Sequence, residues 1–361
     1  MAVKKSYFML GLMSGTSLDG LDIAYVELKV AKQWSFRIIK ATTIRYDKVW
    51  EDRLRKAHTQ HGQKLMEWHA AYGTFIGQQC LAFIKKHGIR KVDAIASHGH
   101  TIFHQPEKGF TFQLGDGQAI QASTGIPVVS DFRSLDVNLG GEGAPLVPMG
   151  DRLLFSSYDV CLNLGGIANL SMEVRGKRKA FDVCFCNMAL NFLMQEENKA
   201  FDNNGMLARS GVVDIELLNK MSQSYDQIRK SRKSIGREFF EASIQPMLEN
   251  KRIPRADRLR TVCESTAIEL ALAVPKSRKK LTMMATGGGA LNGFLVQLLQ
   301  ERLIGKVSIV LPSTEIIAFK EALVFALLGV LRMRNEINVL SSVTGARRDS
   351  SSGAMIGAFA Q

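Results

Sequence analysis

Apolar residues fall in short runs separated by polar and glycine-containing breaks, which is the pattern of buried strands joined by turns. The first run covers residues 6–13, and two more follow at 23–28 and 36–46. Short apolar runs bounded by glycine and aspartate predict strands connected by tight turns. We therefore expect three successive strands at the start of the chain, with a glycine-rich turn at 14–20 after the first.

Helical patterns begin at residues 62–87, where three basic residues precede Gly88. A basic last turn followed by glycine is typical of the carboxyl end of a helix. Strand patterns return at 92–96 and 126–129. Strands that alternate with helices predict α/β layers.

The same order of elements restarts after a loop rich in glycine and proline at 140–148. A strand at 160–164, a glycine turn and a returning strand at 169–174 repeat the plan of the first residues, which predicts two related α/β halves. Further helices are expected at 187–197, 213–222, 237–249, 258–274, 291–303 and 320–334, and further strands at 281–285 and 307–311.

The composition is that of a globular protein, since 46% of the 361 residues are hydrophobic and 22% are charged. That hydrophobic content excludes a disordered chain. The net charge of +13 would suit an acidic partner. Aromatic residues do not interleave with the densest basic clusters, at 229–233 and 276–280, so we favour a solvated basic surface over nucleic-acid binding.

Two apolar segments bear on export and membrane insertion. Residues 7–13 follow two lysines, but the run is short and no small-residue cleavage site follows it closely. The run at 322–331 is about half the length of a membrane span. The five cysteines are irregularly spaced, which fits a reducing compartment better than a disulfide framework. We expect a cytoplasmic protein without a membrane segment.

Three glycine-rich turns stand at the ends of predicted strands, at 14–20, 163–169 and 286–292. Glycine lets backbone N–H groups approach an anion closely. None of the turns matches the dinucleotide fingerprint or the lysine-bearing phosphate loop, and a single glycine turn is usually only a turn. Three of them together favour a site for a nucleoside triphosphate.

Three carboxylates are candidates for chemistry. Asp19 and Asp22 flank the first turn, where they could hold Mg²⁺ through waters or simply stabilise the turn. Asp182 follows a strand-like segment and precedes a helix. Its spacing favours an N-terminal cap, and a role as general base requires that it face a cleft.

His98, His100 and His104 raise the possibility of a metal site. His98 and His100 would share a face only if their strand continued, and Gly99 favours a turn instead. We therefore prefer hydrogen bonding to a polar ligand over metal binding.

Short motifs along nearly the whole chain resemble, in order, those of the anhydro-N-acetylmuramic acid kinase family. The longest is GLMSGTSLDGLD at 11–22. The others lie at 97–99, 131–133, 143–148, 163–169, 236–238, 286–289, 321–322 and 342–346.

The resemblance implies a two-domain actin-like (ribonuclease H-like) ATPase fold of class α/β, with a nucleotide cleft between the domains. We expect residues 1–132, with about 345–361, to form the N-terminal domain and 133–344 the C-terminal domain. The implied enzyme uses ATP and water to open 1,6-anhydro-N-acetylmuramic acid and phosphorylate O6. The products are N-acetylmuramic acid 6-phosphate and ADP, in peptidoglycan recycling. A homodimer is implied as well.

The resemblance also implies roles for single residues. Asp182 would be the base that activates water, and Arg133 would bind the lactyl carboxylate of the sugar through its guanidinium. His98, Asn187 and Glu321 would also contact the sugar, although Glu321 could instead be an ordinary first-turn helix carboxylate. The residues expected to bind ATP are Gly15, Thr16, Ser17, Leu18, Asp19, Gly20, Leu21, Asp22, Gly165, Gly166, Gly287, Gly288 and Gly289, with Mg²⁺ held through water by Asp19.

The chain departs from the family pattern beside the expected base. The family usually reads Asp-Thr-Gly-Pro-Gly-Asn there, whereas residues 182–187 read DVCFCN. Side chains at Cys184 and Cys186 would make a positive φ costly. His100 and Glu142 each stand where glutamine is more usual. The alternatives are a kinase for another amino sugar and a catalytically impaired or chaperone-like ATP-binding protein of the same fold.

Overall fold

The computed structural model describes residues 4–15, 18–231 and 235–359, and the chain divides into two compact units. The first unit is Met1–Leu154 with Phe319–Gln361, and the second unit is Phe155–Ala318. The strands are β1 (Ser6–Ser14), β2 (Leu21–Val30), β3 (Trp34–Ile44), β4 (Ala94–Gln105), β5 (Phe110–Leu114), β6 (Val128–Ser130), β7 (Val160–Leu164), β8 (Ile167–Val174), β9 (Lys177–Phe185), β10 (Leu281–Thr286), β11 (Val307–Val310) and β12 (Ala354–Ile356).

The helices connect and cover these strands. They are α1 (Lys48–Lys56), α2 (Gly62–His87), α3 (Gly117–Thr124), α4 (Ser134–Asn138), α5 (Val147–Leu154), α6 (Asn187–Met194), α7 (Met206–Ser210), α8 (Ile215–Ser231), α9 (Arg237–Phe239), α10 (Gln245–Leu248), α11 (Arg255–Ala273), α12 (Gly293–Arg302), α13 (Thr314–Met333) and α14 (Ser341–Thr344). Short 3-10 turns lie at Ala57–Thr59, Pro106–Lys108, Gln195–Glu197, Asn203–Gly205 and Gly288–Leu291, and a π-helical turn at Phe240–Ile244.

Each unit contains one mixed sheet, and the two sheets follow the same plan. In the first sheet the order is β12-β6-β4-β1-β2-β3, with β5 paired to β4, and in the second it is β11-β10-β7-β8-β9. Both begin with three antiparallel strands, and the first of these then pairs in parallel with the fourth. The two related α/β halves are thus confirmed, and with them the actin-like, ribonuclease H-like fold class.

The position of a strand in its sheet explains its sequence pattern. Strand β1 lies between β2 and β4, and Leu10 and Leu12 are fully buried. A strand covered on both faces has a continuous apolar run rather than strict alternation. Strand β3 lies at the sheet edge, where partly exposed residues alternate with exposed ones.

Helix α2 occupies the predicted residues and supplies one side of the first core. His61 caps its start, and Gly88 ends it in the left-handed conformation, with φ 59°. Its Tyr72 and Ile76 pack among the apolar side chains of the first sheet. Basic residues before a glycine therefore marked this helix end correctly.

The sequence led us to expect domain boundaries at residue 132 and at about residue 345, whereas the two units divide the chain after Leu154 and after Ala318. The reason is the packing of α13. A Cβ at Gly329 would lie 2.7 Å from the Cβ of Ala96 in β4, and one at Gly11 would lie 2.9 Å from that of Ala326. These close approaches place the greater part of α13 against β1 and β4.

Several element bounds differ from the pattern-based expectations. Strand β4 continues through Gly99, at φ 73°, to Gln105 instead of ending near residue 96. Helix α13 begins at Thr314 rather than 320. The helix expected at 237–249 is broken into α9, a π-helical turn and α10. The break precedes Pro246, which has no N–H to donate to the preceding turn.

No helix among residues 4–15, 18–231 and 235–359 is long and apolar enough to cross a membrane.

We expect Gly11→Ala to destabilise the protein by about 2 kcal/mol, because the new Cβ would overlap the carbonyl oxygen of Ala322. Gly62→Ala is the matched control, since no atom lies within 4 Å of its Cβ position at the start of α2. That variant should gain roughly 0.5 kcal/mol. Urea unfolding followed by circular dichroism measures both. Equal midpoints for the two variants would contradict the close packing of α13.

Candidate functional site

The turn between β1 and β2 positions the first group of expected ATP-binding residues. Thr16 and Ser17 lie outside the described residues. The N–H of Leu18 donates to the carbonyl of Gly15 at 3.3 Å, and Leu18 has a φ of 61°. Gly20, at φ 156°, lies against the backbone of β3, where a Cβ would overlap a carbonyl oxygen.

The side chains of this turn are not equally accessible. Leu21 is 1% exposed within the first core, so only its backbone is available to a ligand. Asp19 is exposed, and Asp22 is partly buried and accepts a 2.5 Å hydrogen bond from the Thr43 hydroxyl. Burial raises the pKa of Asp22 to about 6, against the lowering effect of Thr43 and with added repulsion from Glu321 and Asp19.

A cation beside this pair of aspartates would offset the cost of burying the ionised Asp22 carboxylate and would reduce its repulsion from Asp19. Within the described part of the chain, no group of three or more His, Cys, Asp or Glu side chains could hold a metal alone. Two carboxylates match what an ion such as Mg²⁺ takes from a protein, since it uses one or two carboxylates and keeps several of its waters.

A chain of hydroxyl groups links β1 to β4. The Ser14 hydroxyl lies 2.7 Å from the Tyr46 hydroxyl and 2.8 Å from Nδ1 of His100, and the Tyr46 hydroxyl lies 2.5 Å from that of Tyr72. Burial lowers the pKa of His100 to about 4 and raises that of Tyr46 to about 12. All four groups are therefore neutral at pH 7, and they fix the strand end from which the first turn departs.

His98 and Arg133 form a second buried arrangement. Nε and Nη2 of Arg133 donate to Nε2 of His98 at 3.0 and 2.8 Å, and Nη1 donates to the Gly143 carbonyl at 2.6 Å. Because Nε2 accepts, Nδ1 of His98 must carry the proton, which it donates to the Gly99 carbonyl at 2.8 Å. Burial, with the adjacent Arg133 charge, holds the pKa of His98 well below its usual range.

This pairing changes the expected role of His98. Both ring nitrogens of His98 form hydrogen bonds within the protein, and the residue is 4% exposed. Its role in this arrangement is therefore to orient the Arg133 guanidinium. His104 also has its own partner, because its Nδ1 lies 3.1 Å from the Thr111 hydroxyl. Each of the three histidines is thus hydrogen-bonded to groups of the protein itself.

Glu321 lies in the middle of α13, since the helix begins at Thr314. The interpretation as a first-turn helix carboxylate is therefore wrong. Its side chain is exposed, and its charge affects both Asp22 and Arg133.

In the second unit, Asp182 lies within β9 and is not a helix cap. The residue preceding α6 is Cys186, so the cap expected from spacing is wrong. Oδ2 of Asp182 accepts a hydrogen bond from the backbone N–H of Ile235 at 3.0 Å. Asp182 also lines a cavity of about 80 Å³ together with Arg229 and Glu269.

The residues after Asp182 fill the core of the second unit. Cys184, Phe185 and Cys186 are fully buried. The pairing of β8 with β9 shifts register at this point, and neither cysteine has a positive φ. Cys184 lies within β9 and Cys186 precedes α6 at φ −125° and ψ −99°, so neither position needs the positive φ that would favour glycine, and both side chains pack in the core.

The remaining glycine turns lie together around Asn187. The Asn187 amide donates to the Leu164 carbonyl at 2.9 Å, and its backbone N–H donates to the Gly165 carbonyl at 3.1 Å. A Cβ at Gly288 or Gly289 would lie 3.4 or 3.1 Å from the Asn187 side chain. The turns at Gly165, Gly166, Gly287, Gly288 and Gly289 therefore form one backbone-lined group.

Sequence reasoning missed Tyr46, Tyr72, Arg229, Glu269 and the N–H of Ile235. Each meets its partner across a large sequence separation, and no local motif marks it.

The comparisons with known proteins agree along nearly the whole chain. The family model described as anhydro-N-acetylmuramic acid kinase matches residues 7–358. The anhydro-N-acetylmuramic acid kinase of Vibrio cholerae serotype O1 is 34% identical over 371 residues, covering 98% of each chain. The protein of that name from Gloeobacter violaceus is 35% identical over 364 residues, covering 94% of this chain and 95% of the relative.

Solved structures show weaker likenesses. An activator of the 2-hydroxyisocaproyl-CoA dehydratase from Clostridium difficile has a TM-score of 0.43 at 12% identity, covering 89% of this chain and 93% of that one. A ligand-bound xylulose kinase from Lactobacillus acidophilus has a TM-score of 0.42 at 10% identity, covering 90% and 89%.

We expect His100→Gln to flatten the decline of stability in acid. The folded pKa of His100 is about 4 against a usual 6.5, so the unfolded chain binds the proton first as pH falls. Stability from the neutral ring is complete above pH 6.5 and is lost progressively down to pH 4, by about 3 kcal/mol.

Urea unfolding at pH 7, 5.5 and 4 measures this difference. His58→Gln is the control because it removes an exposed imidazole, and it should follow the wild type. Parallel wild-type and His100→Gln profiles would show that burial does not suppress the charge on His100.

Proposed function

The chain belongs to the anhydro-N-acetylmuramic acid kinase family, and on that premise we propose that it is the ATP-dependent kinase of 1,6-anhydro-N-acetylmuramic acid. The products are N-acetylmuramic acid 6-phosphate and ADP, and the reaction serves peptidoglycan recycling. The match of the family model over residues 7–358 carries this proposal.

The anhydro bridge of the substrate determines which bonds break and form in the reaction. The anhydro sugar has no free 6-hydroxyl, because O6 is bonded to the anomeric carbon. Water forms a bond to that carbon while the bond from carbon to O6 breaks. O6 then bonds to the γ-phosphorus, ADP leaves, and the proton of water passes to a base. We assign that base to Asp182, whose carboxylate lines a cavity large enough for water.

Phosphoryl transfer requires positioning and charge neutralisation more than covalent help. We propose that the turn from Gly15 to Asp22 binds the phosphates, that Gly165 and Gly166 form a second phosphate turn, and that the glycines at 287–289 border the adenosine. Mg²⁺ would be held through water by Asp19, and when bound it supplies positive charge to the phosphates.

Arg133 suits the lactyl carboxylate of the substrate. A guanidinium has five N–H groups, and His98 and Gly143 engage three of them. The two others are available for a carboxylate. Burial lowers the pKa of Arg133 to about 10, so the group stays charged at pH 7. We propose that Asn187 and Glu321 complete the sugar contacts.

A cytoplasmic location and a homodimer are further parts of the proposal, supported by the resemblance of the motifs to the family. Light scattering after size-exclusion chromatography tests the dimer.

We expect Asp182→Asn to abolish turnover while ATP binding persists, because the amide cannot accept the proton of water. Glu216→Gln is the control, since Glu216 forms an exposed ion pair with Lys220 on α8 and should behave as wild type. The measurements are ADP release with the anhydro sugar and ATP affinity by calorimetry. Wild-type turnover in the asparagine variant would remove Asp182 as the base.

We expect Arg133→Lys to raise KM for the anhydro sugar by about tenfold, because an ammonium group cannot replace the bidentate guanidinium. Inhibition by 1,6-anhydro-N-acetylglucosamine, which lacks the lactyl group, should change little. Steady-state kinetics with this competitor separate the two effects. An equal loss of affinity for both sugars would exclude a carboxylate-specific role for Arg133.

A further inference from the structure

Asp182 is hydrogen-bonded by a backbone group that lies 53 residues further along the chain. The N–H of Ile235 reaches its Oδ2 at 3.0 Å. Ile235 is 8% exposed and packs in the core of the second unit, and the following Gly236 is extended at the start of α9. Core packing therefore sets where this N–H lies.

The titratable groups that the structure describes around Asp182 include members of three elements. Arg229 of α8 and Glu269 of α11 line the same cavity, and Cys184 follows in β9 itself. Arg229 donates to both oxygens of Glu269, at 2.5 and 2.6 Å, and also bonds Asp226. The Arg229 charge is thus already balanced by two carboxylates. Burial raises the pKa of Cys184 well above its usual value, which keeps the thiol neutral.

We infer that the backbone N–H of Ile235 is a positioning donor that stabilises the ionised Asp182 carboxylate and fixes its orientation toward the attacking water. A hydrogen bond to the charged form of a carboxylate favours that form. The inference rests on the proposed function, in which a proton of water passes to Asp182 as the water oxygen bonds to the anomeric carbon.

Ile235→Pro tests this directly, because proline has no N–H while its ring remains apolar. We expect kcat to fall by about ten- to a hundredfold with KM for ATP unchanged. The acid limb of the kcat profile should move up by about one pH unit, since the carboxylate then protonates more readily. Ile235→Val keeps the N–H, and it should keep the acid limb at its wild-type pH. A folded, ATP-binding proline variant with the wild-type acid limb would overturn the inference.

A second measurement needs neither the proline variant nor turnover. In protein labelled with ¹⁵N-isoleucine, the Ile235 resonance is the one absent from Ile235→Val. Its amide proton shift should follow a titration curve in acid in the wild type and should lose that curve in Asp182→Asn. A wild-type shift independent of pH would refute the hydrogen bond. Failure of the kinase proposal would show separately, as absence of turnover in the wild type, whereas turnover retained in Asp182→Asn would remove Asp182 as the base.

Discussion

Packing of α13 against the central strands constrains the chemistry of the first unit. Glycine at position 11 and at position 329 allows the helix and the strands to approach at backbone distance. This contact places the Glu321 carboxylate where its charge acts on both Asp22 and Arg133. A side chain at either glycine would move the helix, and with it the balance of charge beside the first turn.

The two units handle buried charge in different ways. In the first unit, the Arg133 guanidinium is held by a neutral imidazole and a carbonyl group, so none of its hydrogen bonds cancels its charge. In the second unit, Arg229 donates hydrogen bonds to Glu269 and Asp226, so these two carboxylates balance its charge within the fold. Glu321 and Asp136 act on the Arg133 charge without being bonded to it in the way that Glu269 is bonded to Arg229, and a carboxylate ligand on the guanidinium would offset more of the cost of burying that charge. This difference supports Arg133, rather than Arg229, as the group that binds an acidic sugar.

Local patterns predicted the elements that local forces determine. The bounds of α2 follow from its terminal residues, and the apolar run of β1 follows from burial on both faces. The sequence pattern did not predict that β4 continues through Gly99. Glycine with a positive φ occurs both in turns, which end a strand, and in bulges, which do not. The start of α13 was missed because residues 316–319 form a continuous apolar run, which periodicity alone does not assign to a helix.

The candidate site was predictable only in part. Motifs identified Asp182 and the glycine turns, but the spacing of Asp182 suggested a cap, since its neighbours in β9 do not alternate in polarity. The hydroxyl chain and the Ile235 contact could not be found from sequence, because pairing between distant segments depends on the assembled sheets.

The thiols that replace the usual glycines have a consequence for reactivity. Every cysteine is buried, and burial raises the pKa of Cys186 to about 12. Electrophiles and oxidants attack the thiolate, so the intact fold shields both Cys184 and Cys186 from them. Their alkylation therefore reports on opening of the second core, which makes the substituted strand an intrinsic sensor of local unfolding next to Asp182.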